Sequence, residues 1–310
     1  MNGMPPSAPP LLQVEGLCKD YPAGASLLGA RAVLRAVDGV SFTLARGETL
    51  GLVGESGSGK STVARCVMQL ERPTGGQVLL NGRDLVGMSQ SALRPLRKVM
   101  QIIFQDPYSS LNPRMTVGRF VADPIVIHEG KIPREALMQR VRALFAKVGL
   151  DARHLGRYPH EFSGGQRQRV CIARALAMSP QLIVADEPIT ALDVSIQAQI
   201  INLLQQLQDE QGLAYLFISH DLGMVRHICH RVAVMLRGLI VETGPAEAIF
   251  HDARHPYTQA LLSATLEADP ARERSKARLF FDAGQLDGRA PGFMKEVTPG
   301  HFVREYGHGR

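Results

Sequence analysis

The sequence predicts an α/β fold in which strands alternate with helices around a mostly parallel sheet. One observation is the short apolar run Thr49–Val53, which leads into the glycine-rich segment GESGSGKS and then into apolar residues at helical spacing. The other is the repeated alternation of strand-sized apolar runs with amphipathic helical patterns farther along the chain. The 310 residues are enough for one large domain or two modest ones.

The predicted strands are short segments, either alternating or apolar throughout, bounded by turn residues. They are Leu11–Leu17, Val40–Leu44, Thr49–Val53, Val78–Leu80, Val99–Phe104, Leu182–Ala185, Leu213–Ile218 and Val232–Leu236. Helices are predicted where apolar residues recur every three or four positions. These positions are Val63, Val67 and Leu70; Leu137, Val141, Leu144, Phe145 and Val148; and Ile196, Ile200, Leu203, Leu204 and Leu207. Another helix is predicted at Arg167–Met178, and the chain loses clear periodicity from Leu266 onward.

The composition is that of a folded globular protein, because 45% of the residues are hydrophobic and 21% are charged. No run approaches the roughly 18–20 apolar residues that a membrane-spanning helix requires. The N-terminus lacks the basic start and apolar centre of a secretion signal. Residues 1–10 contain four prolines and are predicted to be a disordered lead.

The net charge of +6 suits nucleic acid, an anionic membrane surface or phosphate ligands, but it also suits an ordinary surface of mixed charge. Charge alone therefore assigns no partner. The four cysteines, Cys18, Cys66, Cys171 and Cys229, form no CxxC pair for zinc or for a redox disulfide. Their wide separation fits a reducing compartment.

The segment Gly54–Ser61 matches the phosphate-loop pattern GxxxxGK[ST]. Its glycines let backbone N–H groups point at the β-phosphate, while Lys60 reaches the β- and γ-phosphates and the Ser61 hydroxyl can bind Mg²⁺. The positive N-terminus of the following helix faces the same anion. The residues of this loop predicted to bind the phosphates are Gly54, Glu55, Ser56, Gly57, Ser58, Gly59, Lys60, Ser61 and Thr62.

Two acids follow a second apolar strand in the segment LIVADEP. In a parallel sheet the carboxyl end of such a strand opens toward the ligand. Asp186 is predicted to hold Mg²⁺ through its water shell, and Glu187 to orient and polarise the attacking water. Together with the phosphate loop, this pair predicts hydrolysis in addition to binding.

The segment FSGGQRQR at Phe162–Arg169 resembles the signature of ATP-binding cassette (ABC) ATPases, which is usually LSGGQ. Phe162 replaces the usual Leu and keeps an apolar side chain there, while Ile189–Thr190 is a second mild departure. The resemblance implies that two ATP molecules are enclosed in a dimer. The residues implied to contact the partner subunit's γ-phosphate are Ser163, Gly164, Gly165 and Gln166.

The remaining motifs of the family occur in the expected order. Tyr21, in KDYP, resembles the aromatic residue that stacks on adenine, although a buried structural tyrosine is an alternative. Gln105, in IIFQDP, resembles the glutamine that touches Mg²⁺ and signals to the membrane partner. Asp193, in TALD, resembles the aspartate of the loop that crosses the dimer interface. His220, in LFISHD, resembles the switch histidine that contacts the γ-phosphate.

The resemblance covers Leu11–Leu266 and is closest to the oligopeptide/dipeptide importer branch, more like the second than the first of its two paired ATPases. Gly244–Ala264, with its His-Pro-Tyr sequence, resembles the C-terminal extension of that branch. The implied fold is a RecA-like P-loop ABC ATPase core with an antiparallel β part, an inserted helical subdomain and a C-terminal extension. The implied division is a cassette at 11–243, with the helical subdomain at about 107–178, and the extension at 244–310.

The implied function is ATP-driven uptake of peptides or similar small solutes. The implied partners are a second ABC ATPase, either a paralogue or a second copy, two membrane permeases and, indirectly, an extracytoplasmic solute-binding protein. Such a subunit lies peripherally on the cytoplasmic face of the membrane and binds no nucleic acid. Two alternatives stay open: a soluble ABC ATPase acting on nucleic acid, and an ABC ATPase for a different cargo. Several members carry an iron–sulfur cluster in the tail, but none is expected here because no cysteine follows Cys229.

Overall fold

The computed structural model describes residues 9–25, 31–190, 192–264, 278–282, 284 and 292–306. Its strands are β1 (Leu12–Ala25), β2 (Arg31–Leu44), β3 (Thr49–Val53), β4 (Gly75–Leu80), β5 (Arg83–Asp84), β6 (Met100–Ile103), β7 (Leu182–Asp186), β8 (Ala214–Ser219), β9 (Arg231–Leu236), β10 (Leu239–Pro245), β11 (Phe293–Thr298) and β12 (His301–Glu305). Its helices are α1 (Lys60–Val67), α2 (Gln90–Val99), α3 (Pro107–Ser110), α4 (Val117–Glu129), α5 (Arg134–Lys147), α6 (Gly164–Leu176), α7 (Val194–Gln211), α8 (Leu222–Ile228), α9 (Ala246–His251) and α10 (Pro256–Ser263). The predicted lead at 1–10 lies outside the described residues, apart from positions 9 and 10.

The chain divides into two compact units. Unit 1 comprises Met1–Leu44, Thr49–Val86 and Phe217–Arg310. Unit 2 comprises Ala45–Glu48 and Gly87–Leu216, so that β8 begins in unit 2 and ends in unit 1. The predicted boundaries at 11–243 and 244–310 stay a prediction.

Unit 1 contains an antiparallel sheet with the strand order β2–β1–β4–β5. Leu12, Leu17 and Leu44 of this sheet are fully buried, whereas Val33 and Leu34 of β2 are exposed. β1 and β2 extend farther toward each other than the predicted strands, to Ala25 and from Arg31. Shifts in the β1–β2 register interrupt the two-residue alternation along these strands, which hides their full length from sequence periodicity.

A second sheet of unit 1 contains β3 paired in parallel with β9, with Val53 opposite Val234. β10 pairs with β9 on one side and with β12 on the other. β11 and β12 form a hairpin, and β11 lies outside β12 in the sheet. Residues 293–305 therefore include two strands, although the sequence shows no clear periodicity after Leu266. Nearly all of β11 is exposed, so its sequence carries no alternation of buried and exposed residues.

Unit 2 contains β6 paired in parallel with β7, with Ile103 opposite Ala185. Helices α3 to α6 fall within the range 107–178 expected for a helical subdomain. Sequence periodicity did not predict α2 or α4, because Pro95 and Pro124 lie inside these helices and proline normally ends a helix.

The helix after the phosphate loop is shorter than the periodicity predicted. α1 ends at Val67, and Leu70 lies beyond it with half of its surface exposed. Gln69 takes a left-handed φ of 51°, and the N–H of Leu70 donates back to the carbonyl of Arg65 at 2.9 Å. A left-handed residue that ends a helix is usually glycine, so a glutamine there gives no sequence signal for the end of α1.

Among the described residues, no helix is both long and apolar enough to cross a membrane.

Candidate nucleotide site

The phosphate loop of unit 1 connects the end of β3 at Val53 to the start of α1 at Lys60. Gly54 and Gly59 have φ values of 148° and 104°, which residues with a Cβ rarely adopt. A Cβ on Gly54 would lie 2.2 Å from the carbonyl oxygen of Met235, and one on Gly59 would lie 2.4 Å from that of Ala36. Both positions therefore require glycine for conformation and for space.

Lys60 is buried, with 4% of its surface exposed. Its Nζ donates to the carbonyl oxygens of Gly54 at 2.7 Å and of Glu55 at 2.8 Å, and it lies 3.4 Å from the Ser58 hydroxyl. The ammonium group is thus held across the loop by oxygens of the loop itself. This arrangement concentrates a positive charge where a phosphate group would bind.

Substituting Gly59 should cost more than substituting Gly57, although both have a left-handed φ. A Cβ on Gly57 would meet no atom within 4 Å, so Gly57→Ala should lose only the roughly 1–2 kcal/mol of left-handed backbone strain. Gly59→Ala adds a clash with the backbone oxygen of Ala36 and should lower the free energy of unfolding further. Urea unfolding of both nucleotide-free variants measures this difference, and equal losses would contradict the close approach.

Tyr21 lies beside the end of the phosphate loop. Its hydroxyl donates to the Glu71 carboxylate and also hydrogen-bonds the side chain of Thr62. Burial and Glu71 raise the pKa of Tyr21, while Thr62 opposes that rise. Lys19 Nζ lies 4.9 Å from the ring centre. The structure places this tyrosine at the loop, and adenine stacking stays a prediction.

His220 follows directly after β8 and is exposed in unit 1. The next residue, Asp221, caps α8 by accepting a hydrogen bond from the N–H of Met224 at 3.1 Å. The short connection between strand and capped helix thus fixes the backbone on both sides of the histidine. Its contact with a γ-phosphate stays a prediction.

The carboxylates of unit 2 stand where β7 ends. Asp186 is its last residue and only 6% exposed, and Glu187 follows with a left-handed φ of 47°. Because β6 and β7 are parallel, the residues that follow them meet at one edge of the pair, and Gln105 Nε2 donates to Glu187 Oε2 at 2.8 Å. The Thr190 hydroxyl donates to the same oxygen at 3.2 Å. A strained backbone of this kind is common at functional sites.

The signature segment forms the start of α6. Ser163 caps this helix, and its N–H donates to the side-chain oxygen of Gln166 at 3.0 Å. Because Ser163 caps the helix, α6 begins at Gly164, earlier than the predicted start at Arg167. A Cβ on Gly165 would lie 2.5 Å from the Ile196 side chain, so a larger residue here would require Ile196 to move. Phe162 is buried, as an apolar replacement for leucine should be.

Asp193 is exposed and immediately precedes α7. Its carbonyl accepts hydrogen bonds from the N–H groups of Ile196 and Gln197, both at 2.9 Å. Its part in a dimer interface stays a prediction.

Sequence reasoning assigned no role to Tyr257, whose hydroxyl accepts a hydrogen bond from the N–H of Glu55 in the phosphate loop. The His-Pro-Tyr sequence that contains it is the signal that could have found it, but this sequence was interpreted only as a marker of the C-terminal extension.

The loop of unit 1 suits a phosphate group, and the carboxylates of unit 2 suit a divalent cation. A glycine-dependent loop, a buried lysine and the Ser61 hydroxyl belong to unit 1, and a buried aspartate ends the parallel strand β7 in unit 2. Within the described part of the chain, no group of three or more His, Cys, Asp or Glu side chains could hold a metal ion by itself.

Comparison with known proteins decides the family. Residues 37–190 match the ABC transporter family, and residues 241–280 match the C-terminal region of oligopeptide/dipeptide transporters. The oligopeptide transport ATP-binding protein OppF of Bacillus subtilis is 53% identical over 277 residues, which are 88% of this chain and 90% of OppF. The chain belongs to the ABC transporter ATPases. Within that family, this ATPase belongs to the oligopeptide/dipeptide importer branch.

Other relatives agree with this assignment. The glutathione import ATP-binding protein GsiA of Escherichia coli K12 is 48% identical over 303 residues, and the chain spans only 48% of GsiA. A dimeric cassette named MJ0796, bound to ADP and Pi, has a TM-score of 0.68 and 28% identity, and the match covers 76% of this chain and 98% of that one. CbiO1 of Clostridium perfringens has a TM-score of 0.67 and 28% identity, with coverage of 78% and 91%. The fold of this ATPase is thus the RecA-like cassette fold.

Proposed function

We propose that this ATPase binds and hydrolyses ATP as one of two nucleotide-binding subunits that power an importer of oligopeptides or dipeptides. The observation that carries the proposal is the match of nearly the whole chain to an oligopeptide transport ATP-binding protein. The match of residues 241–280 to the C-terminal region of oligopeptide/dipeptide transporters supports the same cargo. The resemblance to the second of the paired ATPases remains part of the proposal.

The proposed binding role of unit 1 rests on its phosphate loop. Lys60 would bind the β- and γ-phosphates, because its ammonium is buried and already held at the loop by carbonyl oxygens. His220 would contact the γ-phosphate and Tyr21 the adenine. Ser61, Gln105 and Asp186 would hold Mg²⁺, which when bound neutralises charge on the phosphates.

Glu187 is the proposed base of hydrolysis. Its carboxylate is aimed by two donors, Gln105 and Thr190, and by a left-handed backbone. A carboxylate held in this way can orient a water molecule and accept its proton as the water attacks. The protein thereby contributes positioning and charge stabilisation without a covalent intermediate.

The signature residues are proposed to serve a nucleotide bound by the partner subunit. Ser163 and Gly164 are exposed at the start of α6, where a helix leaves its first N–H groups without intrahelical partners. The side-chain oxygen of Gln166 accepts a hydrogen bond from the N–H of Ser163. The proposed contribution of Gln166 is therefore to fix the start of α6. The dimeric MJ0796 cassette bound to ADP and Pi supports a dimer of such subunits.

The membrane permeases are proposed to dock on unit 2 around Gln105–Arg114 and Arg157–Glu161. Arg167 connects these two segments: its guanidinium lies 4.4 Å from the Tyr108 ring centre and its Nε donates to the Pro159 carbonyl at 2.8 Å. Tyr108 is 62% exposed despite this contact. An exposed aromatic side chain such as Tyr108 suits a docking surface for another protein. Arg167 connects this side chain to the segment that precedes the signature. This docking would place the ATPase peripherally on the cytoplasmic face of the membrane.

Peptide uptake tests the proposed function. Cells that lack this ATPase but keep its permeases and binding protein should lose uptake of a labelled tripeptide, while uptake of a labelled free amino acid stays normal. The wild-type gene should restore uptake and a Glu187→Gln gene should not. Labelled glutathione forms a second arm, because GsiA is a glutathione import protein. Unchanged peptide uptake, with a salt-sensitive nucleic-acid complex in the purified protein, would favour the nucleic-acid alternative.

We propose that no iron–sulfur cluster is present. The chain has four cysteines and none after Cys229, so the tail offers no thiolate ligands. Burial raises the pKa of the Cys66 thiol to about 11 and of the Cys171 thiol to about 12, which disfavours the thiolate that iron requires. Iron and acid-labile sulfide assays on the purified protein should find neither at stoichiometric level.

A further inference from the structure

A hydrogen bond joins the C-terminal extension to the phosphate loop within unit 1. The N–H of Glu55, the second residue of the loop, donates to the hydroxyl oxygen of Tyr257 at 3.0 Å. The two residues are 202 positions apart in the chain. Tyr257 is only 2% exposed, so its hydroxyl is held by the packing around it.

Tyr257 is fixed at the start of α10. Its N–H donates to Nδ1 of His255 at 3.1 Å, which caps the helix. Burial lowers the pKa of His255 to about 4, so at neutral pH its ring is uncharged and Nδ1 can accept. The Phe281 ring packs against both, with ring centres 5.7 Å from Tyr257 and 5.9 Å from His255.

The start of α10 is in turn tied to the sheet by a buried carboxylate. Glu242 of β10 has no exposed surface and accepts the N–H groups of Arg254 at 2.7 Å and His255 at 3.0 Å. The same carboxylate lies 2.8 Å from Nε2 of His301, which is 1% exposed on β12. At Gly244 a Cβ would lie 3.1 Å from the His301 ring, so glycine lets this ring approach β10 closely.

We propose that Tyr257 is a positioning residue for nucleotide binding, and that Glu242 and His301 hold it in place. This inference rests on the proposed ATP site. The carbonyls of Gly54 and Glu55 hold Lys60, so a hydrogen bond to the N–H of Glu55 fixes the backbone that carries the lysine's acceptors. The C-terminal extension would thereby set the shape of a loop far from it in sequence.

Binding of ADP to the purified chain, measured by isothermal titration calorimetry, tests the inference. Tyr257→Phe removes the acceptor of the Glu55 N–H and keeps the buried ring. We expect ADP to bind about three- to tenfold more weakly, as loss of one partly buried hydrogen bond predicts. The KM for ATP should rise by the same factor, while kcat at saturating ATP stays within about twofold, because the loop still closes on bound phosphate.

Tyr215→Phe is the matched control. Tyr215 is also fully buried, and its hydroxyl donates to the Leu204 carbonyl at 3.1 Å within unit 2. Both variants lose one buried tyrosine hydroxyl, so both should unfold at slightly lower temperature. Only Tyr257→Phe should weaken ADP binding. Equal ADP affinity in Tyr257→Phe and wild type overturns the inference, and so does equal weakening in both variants. A wild-type chain that binds no ADP would instead overturn the proposed function.

A double-mutant cycle tests the part played by the hairpin β11–β12. His301→Ala removes a partner of the Glu242 carboxylate, and it should weaken ADP binding in the same direction as Tyr257→Phe. Because both act through one chain of contacts, the double variant should bind ADP about as weakly as Tyr257→Phe alone. Fully additive losses, or unchanged affinity in His301→Ala, would show that the hairpin does not act through Tyr257.

Discussion

Glu187→Gln should retain ATP binding and lose at least about 100-fold in the rate of hydrolysis, the usual contribution of a general base. Glutamine keeps the length of the side chain and an oxygen that can accept from Gln105, which now donates to Glu187 at 2.8 Å. It cannot accept a proton from the attacking water. Phosphate release at saturating ATP measures the rate, and ATP titration measures binding.

The control for this variant is Glu210→Gln, the same change near the end of α7, where Glu210 accepts a hydrogen bond from Gln206 at 2.7 Å. It should hydrolyse ATP at the wild-type rate. If Glu187→Gln kept that rate as well, Glu187 would not be the base. Loss of both binding and hydrolysis in Glu187→Gln would indicate damage to the fold and would also contradict the expected separation.

Lys60→Met should weaken nucleotide binding by about 10- to 100-fold, the effect of losing hydrogen bonds from a charged donor. Methionine fills a similar buried volume, so the fold should be kept although Lys60 is only 4% exposed. Two effects act in the same direction: the phosphates lose a cation, and the carbonyls of Gly54 and Glu55 lose the donor that holds them. Titration with ADP measures the change.

Lys147→Met is the matched control, because Lys147 is an exposed residue at the end of α5. It removes the same charge from the net +6 and should leave ADP affinity unchanged. If both variants weakened binding equally, the effect would come from overall charge and Lys60 would have no specific role.

The sequence predicted the local structure around each motif of the site, because each motif is local. The phosphate loop, the acids after β7 and the cap at Ser163 each depend on a few consecutive residues and on the element that follows them. Parallel pairing of β6 with β7 then explains why Gln105 and Glu187, 82 positions apart, are hydrogen-bonded. That contact could be expected from both residues following strands.

Features that depend on contacts between distant parts of the chain, or on an unusual backbone conformation, could not be predicted in the same way. Glutamate normally avoids a left-handed φ, so the residue type at position 187 does not predict this conformation. The contact between Glu55 and Tyr257 depends on how the extension returns to the loop. Helices α2 and α4 were missed because proline inside a helix is interpreted as its end.

The hairpin β11–β12 also changes which strand forms the border of its sheet. β12 pairs with β10 at Glu242 and Thr243, so β10 does not present a row of free backbone groups to other molecules. The border passes to β11, where Lys295 and Glu296 are exposed and Lys295 is paired with Glu305. Charged residues on a border strand discourage edge-to-edge pairing. Without the hairpin, the backbone groups of β10 at Glu242 and Thr243 would lie at the border of the sheet.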